Sequence, residues 1–158
     1  MENSSDYRVD GYEISTDTHK MDIAVIHRYL SEESYWAKDI SFDIVERSVA
    51  HSFCFGVFNQ EKQVGLARLI TDKASFAYLC DVFILPEHRG KGLSKWLLTA
   101  IQSHHELQGL RRWLLGTKDA HGLYRQFGWV SLPEELVPRF MQRFQPNAYA
   151  KLSQNESR

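Results

Sequence analysis

One run constrains this chain more than any other: Tyr78-Leu79-Cys80-Asp81-Val82-Phe83-Ile84-Leu85-Pro86-Glu87-His88-Arg89-Gly90-Lys91-Gly92-Leu93-Ser94-Lys95-Trp96-Leu97-Leu98. Its first part is apolar and β-favouring, and it runs through a proline into a basic, glycine-rich turn. Leu93, Trp96, Leu97, Ala100 and Ile101 then fall at helical spacing. The run predicts strand, turn and helix. Gly90 and Gly92 remove the Cβ atoms that would keep a ligand off the backbone. The turn opens a helix whose first N–H groups have no intrahelical partner and carry partial positive charge. Arg89 and Lys91 add full charges, so the stretch reads as a seat for an anion, phosphate above all.

Around this run the rest of the chain falls into order. Residues 1–10 are expected to be loosely attached, and so are 153–158. Tyr12 to Ser15 alternates like a strand, and Asp17 or Thr18 can cap a helix to about Leu30 with Ile23, Ile26 and Leu30 on one face. Ser41 reads as the cap of a second helix with Phe42, Val45 and Val49 inward. Ser52 to Phe58 and Val64 to Ile70 form a hairpin about Asn59-Gln60-Glu61-Lys62, and Phe76 to Ile84 follows as the central strand. The helix from Gly92 to about His104 crosses to Arg112-Trp113-Leu114-Leu115-Gly116, a nearly continuous apolar strand of the buried, parallel kind. A short helix over His121 to Phe127 and strand-like pieces at Arg139 to Phe144 and Ala148 to Leu152 complete the reading. The expected class is α/β, an α+β mixed antiparallel and parallel sheet flanked by helices on both faces, with residues 11–152 as one domain.

Composition limits the partners. At 158 residues, 43% hydrophobic and 25% charged, the chain has the make-up of a globular protein, and its net charge of −1 gives no basic footprint for nucleic acid. No apolar run approaches the roughly 20 residues of a membrane span. The polar, acidic start is unlike a signal peptide, which makes the expected compartment cytoplasmic, with Cys54 and Cys80 reduced inside strands. No spacing supports metal ligation.

The nucleotide motifs match poorly. Lys95 stands at the third glycine of G-x-G-x-x-G, and Leu85 and Leu93 break the Walker pattern. The segment Arg89-Gly90-Lys91-Gly92-Leu93-Ser94 instead resembles the R-x-x-G-x-[GA] signature of the GNAT superfamily of acetyl-CoA-dependent N-acetyltransferases, with Ser94 in place of Gly or Ala. Ala120-His121-Gly122-Leu123-Tyr124-Arg125-Gln126-Phe127-Gly128-Trp129 resembles the family's A-x-x-x-Y-x-x-x-G-[FW] segment, and Thr117 stands where the family often has Asn.

The resemblance implies the mixed-sheet fold and transfer of acetyl from acetyl-CoA to a small-molecule primary amine. It further implies that the coenzyme lies along the main chain of Phe83, Ile84 and Leu85. Its pyrophosphate would meet the amides from Arg89 through Gly90, Lys91, Gly92 and Leu93 to Ser94, with Thr117 and Tyr124 beyond. Tyr124 matches the position of a general acid for the departing thiolate; as a residue it also reads as a core aromatic sharing a face with Phe127. Asp81 interrupts an apolar strand and is read three ways: as the base, as an anchor for the amine, or as the structural partner of Arg68 or Arg112. Tyr35 and Trp36 fall in the loop that covers the acceptor side in this fold, as binding surface or as hydrophobic plugs. Asp81, Glu134 and Glu135 point toward a cationic acceptor, and the fold's C-terminal strands toward a homodimer. An acyl-CoA-binding module without transfer is the alternative function.

Overall fold

The computed structural model describes residues 9–150, so the expected loose ends fall largely outside the described residues. Five strands follow one another across a single sheet in chain order. They are β1 (Tyr12–Ser15), β2 (Phe53–Asn59), β3 (Lys62–Thr71), β4 (Phe76–Ile84) and β5 (Arg112–Leu115). The first four pair antiparallel, and β5 joins β4 in parallel. The helices are α1 (Ile23–Arg28), α2 (Phe42–Ala50), α3 (Leu93–Ser103) and α4 (His121–Arg125).

Alternation along the strands builds a core on each face of the sheet. Phe55, Val57, Ala67, Leu69, Ala77 and Leu79 meet Leu93, Leu97 and Ile101 of α3 on one face. Cys54, Phe58, Leu66 and Phe83 meet Ile26, Leu30, Val45 and Val49 from the region of α1 and α2 on the other. Each fully buried aliphatic side chain is worth about 1.5–3 kcal/mol, so both layers hold the sheet firmly. Among the described residues no helix is long and apolar enough to cross a membrane.

Three local readings differ from the structure. The helix expected from Asp17 is broken at Met21, which is extended and buried. Asp17 caps only a 3₁₀ turn at Thr18–Lys20, and Asp22 caps α1. The break has a tertiary cause, because Gln63 Oε1 on β3 accepts the Asp22 N–H at 2.7 Å. Phe42 turns outward, 41% exposed and edge-on to His27, since it opens the first turn of α2 beside its Ser41 cap. The strand expected at Arg139 to Phe144 does not form. A 3₁₀ turn at Val137–Arg139 carries the chain across β5, where the Arg112 guanidinium sits 5.1 Å from the centre of the Phe140 ring. The resumption expected at Ala148 to Leu152 is irregular up to residue 150, and its last two positions lie outside the described residues.

Candidate active site

A fork in the sheet organises the site. β4 pairs with β5 only from Phe76↔Arg112 to Leu79↔Leu115. On its other side, Leu66↔Phe83 is followed by Arg68↔Cys80, so three steps along β4 match two along β3. The extra residue is accommodated at Asp81, whose φ is +50°, a left-handed conformation that a short polar side chain tolerates best. β4 bends at this bulge, and its β5-facing edge from Cys80 to Ile84 is left without a strand partner.

Hydrogen bonding decides which backbone groups face the fork. Leu85 N donates to Val64 O at 2.8 Å, so this amide is spent on β3. Adjacent residues direct their amides to opposite edges. Val82 and Ile84 therefore turn theirs to the fork, whereas Phe83, in register with Leu66, turns toward β3. Val82 was not among the expected residues, because the bulge shifts the alternation by one.

The glycine turn lies at the end of this edge. Gly90 and Gly92 have φ of +78° and +81°, and a Cβ on either would meet no atom within 4 Å. Gly92 caps α3 without a side-chain hydrogen bond, and Trp96 N is the first helix amide with a partner there, Gly92 O at 3.1 Å. Among the described residues the amides from Gly90 to Lys95 are open, with Leu93 buried beneath and Ser94 at the helix start. Lys91 is exposed beside them. Arg89 turns inward instead: its Nε donates to Ile84 O at 2.9 Å and an Nη to Tyr29 Oη at 3.2 Å, which braces the turn against β4. Tyr12 Oη and His88 Nδ1, 2.8 Å apart, tie the same turn to β1.

Tyr124 enters from α4 on the far prong. It is 8% exposed, packed edge-on to Trp129, and its hydroxyl has no hydrogen-bond partner among the described residues. No fully buried side-chain polar atom there lacks a partner, so this hydroxyl reaches open space. Burial, with a smaller contribution from Tyr35, pushes its phenol up to about 12, which keeps the proton on at neutral pH. Thr117 Oγ1 accepts the Ala120 N–H at 3.0 Å and so shapes the start of α4. A cavity of about 930 Å³ along the outer edge of β5 includes Thr117 and Tyr124 but none of the glycine-turn residues.

The loop after α1 crosses the mouth of the fork. Trp36 Nε1 donates to Asp81 Oδ1 at 2.8 Å, and Tyr35 Oη accepts the Lys118 N–H at 2.9 Å. One loop is thereby tied to both prongs. The second Asp81 oxygen accepts from Arg68 Nε at 2.7 Å, with side-chain exposures of 9% and 15%. Arg68 also donates to Ser52 Oγ at 3.0 Å. Of the partners that the sequence offered Asp81, Arg68 is the one in contact. Cys54 and Cys80 lie beside this pair, and burial pushes both thiols up to about 12. Among the described residues no group of three or more His, Cys, Asp or Glu side chains is placed to hold a metal ion.

The family model for GNAT acetyltransferases matches residues 16–129, from the end of β1 through both motifs. The chain belongs to the GNAT family. A crystal structure of a GNAT-family protein from Xanthomonas campestris is similar at TM-score 0.85 and 48% identity, covering 91% of this chain and 100% of that one. An inferred acetyltransferase of Gibberella zeae is 35% identical over 55% of this chain and 60% of its own length, so the match spans less than two thirds of that relative. A GNAT protein of Elizabethkingia anophelis with acetyl-CoA bound shares the fold at TM-score 0.56 and 12% identity, covering 75% of this chain and 76% of that one. The five-stranded mixed sheet flanked by helices is the GNAT fold.

Proposed function

We propose that this GNAT protein transfers the acetyl group of acetyl-CoA to the primary amine of a small molecule by direct attack, with Tyr124 as general acid. The single observation that carries the reading is the fork, with open amides at one end and an accessible, protonated tyrosine on the facing prong. The fit is specific to this chain. Gly90 and Gly92 leave room where side chains would stand, the start of α3 is uncapped, and Val82 and Ile84 offer a free strand edge for the pantetheine arm. Bound acetyl-CoA supplies a thioester: the amine nitrogen bonds to its carbonyl carbon, the carbon–sulfur bond breaks, and sulfur leaves as thiolate.

Tyr124 donates its phenolic proton toward that sulfur, and the proton shed by the amine passes through water in the fork and restores the phenol. Asp81 acts as a positioning residue, because both of its oxygens already accept from Trp36 and Arg68. It holds the bulge that opens the fork and leaves the amine's proton to water.

Two measurements test the reading. Acetyl-CoA at about a hundred times its dissociation constant adds roughly 2.7 kcal/mol of stability and raises Tm. In a thiol-release assay Tyr124→Phe lowers turnover by about 10²- to 10⁴-fold. An unchanged Tm with acetyl-CoA refutes the coenzyme seat. A binding protein whose turnover ignores Tyr124→Phe refutes the acid.

A further inference from the structure

We infer that the acceptor amine carries a single positive charge on an aromatic or apolar body, and that Tyr35, Trp36 and Lys118 select it. The inference rests on the acetyl-transfer reading above and concerns the same fork, on the face covered by the loop after α1.

That face is walled by rings. Tyr35 and Trp36 are 53% and 39% exposed, edge to face with centroids 5.1 Å apart. Neither is a buried plug, and hydrogen bonds to Lys118 N and Asp81 hold their polar atoms while ring surface stays exposed. Tyr29 supports them from below, 6.4 Å from Trp36 and stacked on Phe83 at 4.0 Å. At the base of the fork Tyr78, on the paired part of β4, is half-buried, its hydroxyl 3.7 Å from where a Cβ on Gly116 would stand. An amine entering here slides between aromatic faces, which favour a flat or apolar body.

The charges argue the same way. Asp81 is the carboxylate that suggested a cationic acceptor, but its charge is matched by Arg68 at 2.7 Å. It is also the one buried carboxylate among the described residues. Lys118 Nζ stands 5.6 Å from the centre of the Tyr35 ring and forms no ion pair among the described residues. The charge that stands over the Tyr35 ring is therefore positive. A polyamine would bring a second ammonium against Lys118, and the ring that would hold that ammonium already has a cation over it. A monoamine presents its nitrogen to the thioester as the free base and leaves no charge behind.

The test is a thiol-release comparison with the full chain and acetyl-CoA at low ionic strength, using 2-phenylethylamine, tryptamine and hexylamine against putrescine and spermidine. The monoamines are expected to exceed the polyamines in kcat/KM by about tenfold or more. Lys118→Glu, at an exposed position, should shift that ratio toward spermidine by about tenfold. Trp36→Ala should lower kcat/KM for 2-phenylethylamine by about tenfold, with Trp36→Phe restoring most of it. Spermidine preferred over the aromatic amines, or a ratio unmoved by Lys118→Glu, overturns the inference while acetyl transfer stands. Absence of thiol release with every amine, despite a Tm raised by acetyl-CoA, overturns the transfer reading and this inference with it.

Discussion

Replacing Arg68 with methionine isolates the ion pair beneath the fork. Methionine keeps most of the arginine stem and removes the charge that sits 2.7 Å from Asp81. The carboxylate then stays in a site 9% exposed, with Trp36 Nε1 at 2.8 Å as its remaining side-chain donor. Removing one partner of a buried pair costs about 3–5 kcal/mol, because the survivor is left uncompensated. In a chain of 158 residues each kcal/mol moves Tm by about 2–4 °C, so Arg68→Met should lower Tm by roughly 6–20 °C. Calorimetry or urea unfolding reads the loss directly. Adding Asp81→Asn to the variant should return half of it or more, since asparagine is uncharged, keeps an oxygen for Trp36 and tolerates a φ of +50°. A loss below about 1 kcal/mol, the range of exposed pairs, would refute the argument. So would a double variant no more stable than Arg68→Met alone.

Two further outcomes follow from the site. The Tyr124 phenol lies at about 12 in the fold, against about 10 in an unfolded chain. A group raised on folding contributes stability that is complete below the unfolded value and is lost as pH climbs through the folded one. The native protein should therefore lose stability between about pH 10 and 12 that Tyr124→Phe does not lose; parallel urea midpoints for the two across that range would refute the buried phenol. Gly92→Ala should cost about 1–2 kcal/mol from its φ of +81° alone, since its methyl meets no atom within 4 Å, and should weaken acetyl-CoA binding. Full stability in that variant would mean the turn adopts another conformation.

What could be read from the sequence was local. The strand, glycine turn and helix from Tyr78 onward are encoded within about twenty residues by composition and spacing, and the hairpin between β2 and β3 turns where its polar residues stand. The Ser41 cap begins α2 as expected, because its Oγ accepts from Ile44 N three residues away. The features that failed to show were set from a distance. Gln63 breaks the first helix from 41 residues down the chain. The left-handed Asp81 is held by Trp36 and Arg68 from two other elements, so the bulge and the shift of Val82 into the fork leave no periodic trace. Lys118 gains its place over Tyr35 only when the chain folds back across 83 residues. The segment from Arg139 reads as strand-like, yet Pro138 and the 3₁₀ turn aim it across β5 rather than along it.

The bulge carries a lesson about how little chain a binding cleft needs. β4 has one residue more than β3 between two otherwise matched pairs, and that excess parts it from β5. Among the described residues no inserted segment or long lid is involved. Deleting Val82 would bring Phe83 and Cys80 into unbroken register with Leu66 and Arg68. The fork thus turns on a single extra residue, whose carboxylate is held by Arg68 and Trp36 together.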